Sequence, residues 1–212
     1  LQDTFDPTFI RLNQVDSIRN PLLGPLAIED TGKAGIIVRE GFNDPDELID
    51  SVTYVKAAEV IRMLRLLLGS HNFKKGKELY FSRYKDSNAN TDQFFECFEE
   101  TSGKRLAQFK DCWLYRIGYP KVSYKTQYDK DSMTYRIRVS QEPPNSTEKP
   151  FHLPIELAVI DRSGKAIQGT NTVFEFNSYS AELVFENINP EPAFVSMNRD
   201  FSFYGTCERE NE

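Results

Sequence analysis

Apolar residues change their spacing near Pro120. Before it they mostly recur every three or four positions, and after it they alternate. This predicts a helical part over about 1–119 and a β part over about 120–212. Asp6-Pro7 opens the first candidate helix, with Phe9, Leu12 and Ile18 facing a core, and Asn20-Pro21 stops it. The next stretch, rich in Gly and Pro, reads as an irregular connection with a short strand at Ile36-Ile37-Val38. The strongest helical signal starts at Asp44-Pro45 and ends at Leu68-Gly69, with core positions Val55, Ala58, Val60, Ile61, Leu64, Leu67 and Leu68. Its charges, Lys56, Glu59, Arg62 and Arg65, spread over about half the circumference at ~100° per residue. A surface helix gathers its charges on one face, so this one is expected to be enclosed, with some charges paired across to neighbours.

Three shorter helices follow. Phe73, Lys77, Tyr80 and Tyr84 lie one turn apart in the first. Thr91 N-caps the second, which carries Phe94, Phe95 and Phe98 and stops at Gly103. Leu106, Phe109, Trp113, Leu114 and Ile117 line one side of the third. Seven alternating runs then predict an antiparallel sandwich: Val122–Thr126, Met133–Val139, His152–Ile160, Val173–Phe176, Ala181–Phe185, Ala193–Met197 and Phe201–Tyr204. Asp129-Lys130-Asp131 and Arg162-Ser163-Gly164 are hairpin turns between them. The predicted class is α+β.

Composition narrows the function. The 212 residues carry 39% hydrophobic and 13% aromatic residues, enough for a real core. Lys and Arg number 26 against 32 Asp and Glu, a net charge of −6, so no basic surplus speaks for nucleic acid. No apolar run approaches the ~18 residues of a membrane span. Cys97, Cys112 and Cys207 are too few and too scattered for a disulfide framework or a zinc knuckle, and suggest reduced thiols in a cytoplasmic protein. Asn145-Ser146-Thr147 is a glycosylation sequon of little weight on its own. His71 and His152 are the only histidines and sit in no metal-binding spacing; His71 reads as a surface or capping residue and His152 as a polar position on the sheet. No nucleophile elbow, dinucleotide fingerprint or P-loop is present.

The run from Tyr54 to Leu64, YVKAAEVIRML, continuing to Leu68-Gly69, resembles a motif of aminopeptidase N, the zinc metallopeptidases of the gluzincin group, where the helix begins Y-E-K-G-A-E-V-I-R-M followed by I or L. Phe73-Lys74-Lys75-Gly76 with Leu79-Tyr80-Phe81 resembles that family's F-x-K-G-x-x-L-Y-F. Thr91-Asp92-Gln93-Phe94 resembles T-x-D-D-F, and Phe109, Trp113 and Gly118-Tyr119-Pro120 resemble F-x-x-W-x-x-x-x-G-T-P. Leu12-Asn13-Gln14-Val15 with Ile18-Arg19 is similar to the segment just beyond the family's zinc site. The resemblance implies the second half of a thermolysin-like catalytic domain (1–119) followed by an Ig-like sandwich (120–212).

It also implies a role for Tyr54: its hydroxyl donates a hydrogen bond to the oxyanion formed during attack on the scissile carbonyl. The family's zinc ligands, in H-E-x-x-H and a later Glu, and its amine-binding G-x-M-E-N loop have no counterpart here. They are expected before Leu1, in a longer polypeptide cut within its gene. The resemblance thus implies zinc and a peptide substrate for the parent protein, and none of that metal, nor activity, in this piece alone. The rest of the same polypeptide is the expected partner, with no nucleic acid and no membrane. Two departures stand out: the family's Glu is Val55 and its Gly is Ala57. They keep two alternatives open, an inactive aminopeptidase-like scaffold and a sandwich that binds peptide or sugar.

Overall fold

The computed structural model describes residues 7–32, 34–39, 41, 44, 50–142 and 148–210. Five helices come first: α1 (Pro7–Arg19), α2 (Pro25–Glu29), α3 (Ser51–Arg83), α4 (Thr91–Ser102) and α5 (Ala107–Leu114). Seven strands follow: β1 (Lys121–Asp129), β2 (Thr134–Glu142), β3 (Leu153–Asp161), β4 (Thr172–Phe176), β5 (Ser180–Phe185), β6 (Pro192–Ser196) and β7 (Thr206–Arg209). Among the described residues no helix is long and apolar enough to cross a membrane.

α3 carries the framework. Asp50 caps its start by accepting from the Thr53 amide at 2.6 Å. Of the opening expected at Asp44-Pro45, residues 45–49 lie outside the described residues. The helix breaks at Gly69, whose φ of 74° and ψ of 154° suit a residue without a Cβ. That break separates the apolar Tyr54–Leu68 stretch from the Phe73–Tyr84 stretch, as the spacing predicts. The second stretch packs on α4, and Gly76 lets the two come close: a Cβ there would lie 2.4 Å from the Phe98 ring. The cap of α4 is Asn90, one residue before the predicted Thr91. Asn90 accepts from Gln93 N at 2.9 Å while the Gln93 side chain accepts from Asn90 N at 2.9 Å, a reciprocal pair that Thr91 does not make. Gly103 ends α4 in the left-handed region. α5 stops at Leu114, so Ile117 lies beyond it.

The strands form a four-stranded sheet, β5-β2-β1-β7, facing a three-stranded sheet, β4-β3-β6. Both predicted turns are found, at 130–133 and 162–164. β3 is buried along nearly its whole length, because it lies between the other sheet and α3. One apolar core therefore runs from Met63, Leu64, Phe98 and Trp113 through Phe151 and Ile155 to Ile137 and Val139.

Several expectations are corrected. Phe201–Tyr204 is not the last strand. Its alternation is used differently: a 3-10 turn at Arg199–Phe201 and the buried residues Ser202, Phe203 and Tyr204 wedge between sandwich and helices. The chain re-enters the sheet at Thr206, beside the start of β1, and β7 runs parallel to β1; every other strand pair is antiparallel. Ile36-Ile37-Val38 is not a strand, since the Ile37 and Val38 amides both donate to the Leu114 carbonyl, at 3.0 and 2.9 Å. Phe9 and Leu12 are exposed and only Ile18 of that trio is buried. Ala58 and Ile61 are likewise exposed on α3.

Candidate active-site groove

Tyr54 sits in the first turns of α3 and is 64% exposed. It lines an open groove of ≈ 630 Å³ between α3 and α1, with Val55, Ala58 and Glu59 from α3 and Asn13, Gln14 and Ile18 among the residues opposite. The helix period explains this set. At ~100° per residue, Tyr54, Ala58, Val55 and Glu59 fall within one ~140° sector, and Lys56 points away from it. The groove pairs an apolar floor with the polar side chains of Asn13, Gln14, Ser17 and Glu59 beside Tyr54.

The start of α3 is held rigidly. Arg39 pairs with Asp50 and also donates to Thr53 Oγ1 at 3.0 Å. Partial burial pushes the Asp50 carboxyl up, but the Thr53 hydrogen bonds and Arg39 outweigh it and hold it below the usual carboxylate range.

The opposite face of α3 carries a buried hub. Lys56 is fully buried and donates to Glu29 Oε2 at 2.7 Å, Gly35 O at 2.9 Å, and the Arg116 and Gly118 carbonyls, both at 3.2 Å. Glu29 also accepts from the Gly118 amide at 2.8 Å and from the Tyr204 hydroxyl at 2.6 Å. Burial pushes the Lys56 ammonium down and the Glu29 carboxyl up, and their mutual attraction offsets part of both shifts. Burial also raises the Tyr204 phenol, with the Glu29 charge adding to it. Tyr119, beside Tyr204, donates to both Asp30 oxygens, at 3.0 and 2.9 Å.

A second clamp lies along the groove. Arg11 on α1 donates to both Glu59 oxygens, at 2.6 and 2.9 Å, and to the Phe201 and Asp200 carbonyls at 3.0 and 3.2 Å. Arg62 donates to the same two carbonyls at 3.0 and 2.6 Å and to the Asp200 carboxylate at 3.0 Å. The paired charges predicted for this helix are thus found at Lys56, Glu59 and Arg62. Their partners Glu29, Arg11 and Asp200 escaped the sequence reading. The one available sign was a lysine inside an apolar helical run.

The remaining sequence candidates lie elsewhere. His71 is exposed on α3. His152 is buried just before β3, edge-on to Phe109, with Nε2 2.8 Å from Glu175 Oε1. Its carbonyl accepts from the Trp113 indole at 2.9 Å. Cys97, Cys112 and Cys207 are free thiols; burial pushes Cys112 and Cys207 up to about 12, which leaves them poor nucleophiles. The Asn145 sequon lies outside the described residues. Among the described residues, no three His, Cys, Asp or Glu side chains gather where they could hold a metal.

Comparison with known proteins bears on this groove. Residues 32–113 match the peptidase family M1 domain. Residues 118–210 match an Ig-like fold described as a domain of unknown function, DUF3458. Aminopeptidase N of Escherichia coli (strain K12) is 30% identical over 202 residues, covering 87% of this chain and 22% of that protein. The chain belongs to the aminopeptidase N family. Aminopeptidase N of Haemophilus influenzae is 35% identical over 160 residues, 74% of this chain and 17% of that protein. The alanine/arginine aminopeptidase of Saccharomyces cerevisiae is 30% identical over 163 residues, 76% of this chain and 18% of that protein. The chain thus spans about a fifth of the length of these relatives. The fold agrees with a crystal structure of Legionella pneumophila aminopeptidase A in complex with aspartic acid: TM-score 0.75, 22% identity, 84% of this chain and 20% of that one.

Proposed function

We propose that this chain supplies the oxyanion-stabilising tyrosine, Tyr54, and one groove wall to a metallo-aminopeptidase that removes N-terminal residues from peptides. The supporting observation is the placement of Tyr54: an exposed phenol lining a groove, on a capped and anchored helix start that lies within the stretch matching the family M1 domain. A positioned hydroxyl donor stabilises charge that develops on the carbonyl oxygen during attack, and does so without reorganising.

Zinc would supply the activated water in such a reaction. The described residues of this chain do not fit a three-ligand zinc site, so this reading places the ligands elsewhere in a longer polypeptide. The 212 residues alone are then inactive. The reading divides the chain near residue 119 into a peptidase part and a sandwich part. It also places the protein in the cytoplasm, where three free thiols are stable.

The test is steady-state kinetics of Tyr54→Phe in the intact gene product on an aminoacyl anilide. The hydroxyl acts only once the oxyanion forms, so kcat should fall by about 10²–10³ with KM little changed. A kcat within about threefold of wild type, under about 1 kcal/mol, would make Tyr54 a packing residue.

A further inference from the structure

The segment 198–204 is built unlike the rest of the sandwich. Asn198, Asp200 and Phe201 have φ of 50°, 53° and 52°, the left-handed region that non-glycine residues rarely adopt. Such a residue persists only where its surroundings over-determine it. The surroundings here are explicit. Asn198 Oδ1 accepts from the Phe203 amide and the Ser202 hydroxyl, both at 3.0 Å. Ser202 Oγ in turn accepts from Glu156 N on β3 at 2.9 Å. The turn is therefore fixed to the sandwich from within.

Two of its carbonyls go to the two helices that form the groove. Its carbonyls at 200 and 201 receive Arg11 from α1 and Arg62 from α3. Arg11 is the same side chain that grips Glu59, a groove residue, with both guanidinium arms. At the other end of the segment, the Tyr204 hydroxyl donates to Glu29, whose second oxygen holds Lys56. Lys56 lies two residues from Tyr54, about 200° round the helix, so fixing it fixes the direction in which Tyr54 points.

We propose that this turn is a positioning element: the sandwich sets the angle of the Tyr54 phenol through Tyr204–Glu29–Lys56, and sets the α1 wall of the groove through Arg11–Glu59. This rests on the reading of Tyr54 as the oxyanion donor. It gives the Ig-like domain a task in the reaction although none of the residues lining the groove comes from it.

The decisive variant is Tyr204→Phe, which keeps the ring and deletes one hydrogen bond. In the intact gene product, amide exchange over residues 52–58 should quicken by about tenfold while exchange in β2 and β3 stays unchanged. On the aminoacyl anilide, kcat should fall by about fivefold to tenfold with KM unchanged, the loss of a single buried hydrogen bond expressed in the transition state. In a Tyr54→Phe background the same change should cost nothing further, because the group being positioned is gone. Tyr128→Phe is the control. Its hydroxyl donates to the Ile188 carbonyl at 2.9 Å within the sandwich, and its loss should leave both readouts unmoved. Should Tyr204→Phe fail to fold, Arg62→Met tests the other clamp with the same readouts.

Unchanged exchange over 52–58 overturns the proposal. So does a kcat loss of equal size with and without the Tyr54 hydroxyl, which would mean that Tyr204 serves only the fold. A Tyr54→Phe enzyme of normal kcat overturns the oxyanion reading instead, and the exchange pattern alone then decides whether the turn governs the start of α3.

Discussion

Over its first two turns α3 presents two faces made under different constraints. On one, Lys56 is fully buried, and its ammonium has four protein acceptors within hydrogen-bonding distance. On the other, Tyr54 and Ala58 face an open groove and are exposed among the described residues. A buried charge must be satisfied completely, because an uncompensated one costs several kcal/mol. An exposed phenol is under no such demand, so packing within the described residues does not account for its placement. The fold can thus be read from the first face, while the proposed function rests on the second, although both belong to the same two turns of helix.

The largest effect separating the faces belongs to the hub. Glu29→Leu would leave the Lys56 ammonium buried with carbonyl acceptors only. Removing one partner of a buried pair typically costs about 3–5 kcal/mol, so a large drop in the urea midpoint is expected. Adding Lys56→Met should recover the part of that loss due to the uncompensated charge, while the Gly118 amide and the Tyr204 hydroxyl still lack Glu29. A double variant as unstable as the single would mean that the hub's geometry, and not its charge balance, holds α3.

The same contrast explains how much could be read from sequence. The charges of Tyr54–Leu68 are spread too widely for a surface helix, and the structure pairs three of the four, Lys56, Glu59 and Arg62, while Arg65 is exposed and the helix is only partly enclosed. Their partners could not be read, because Glu29 lies 27 residues before Lys56 and Tyr204 lies 175 residues after Glu29. Phe201–Tyr204 has the alternation of a strand, yet tertiary packing spends its aromatics as a wedge, and the true last strand, Thr206–Arg209, has little apolar pattern to betray it. Phe9 and Leu12 have helical core spacing but are exposed, so periodicity marks which residues share a face and not whether that face is covered. Tyr54 itself carries no physical signature in the sequence beyond its family motif.

An intermediate effect concerns a buried group less well provided for than Lys56. His152 has Nε2 on Glu175, while its Nδ1 is buried without a partner. Burial lowers its pKa below the ordinary 6.5, outweighing the Glu175 carboxylate, which favours the charged form. The sign follows. Below 6.5 the unfolded chain takes up this proton before the folded one does, so the stability due to neutral His152 is complete above 6.5 and is lost as pH falls through the folded value. Melting temperature should therefore decline from pH 7 to pH 5, a window above the ordinary carboxylate range. In His152→Gln, which cannot titrate, that decline should be shallower. An equal slope in both proteins would assign it to other groups.

The smallest effect falls on Tyr54 and completes the contrast with Lys56. Tyr54→Phe removes an oxygen from a ring that is 64% exposed, and no hydrogen bond of its side chain is lost with it among those seen in the structure. The backbone contact that matters there, Tyr54 N to Asp50 O at 3.1 Å, is independent of the side chain. The two residues differ little in helix propensity. Surface changes of this kind usually stay within about 0.5 kcal/mol, so the urea midpoint and slope should both match wild type. The same substitution is expected to remove most of kcat in the intact protein, and that pairing gives the measurement its force. A hydroxyl that costs activity and not stability when deleted acts on something outside the fold. A stability loss above about 1 kcal/mol would show instead that the phenol is bound within the protein, and the exposed face of α3 would then be as structural as the buried one.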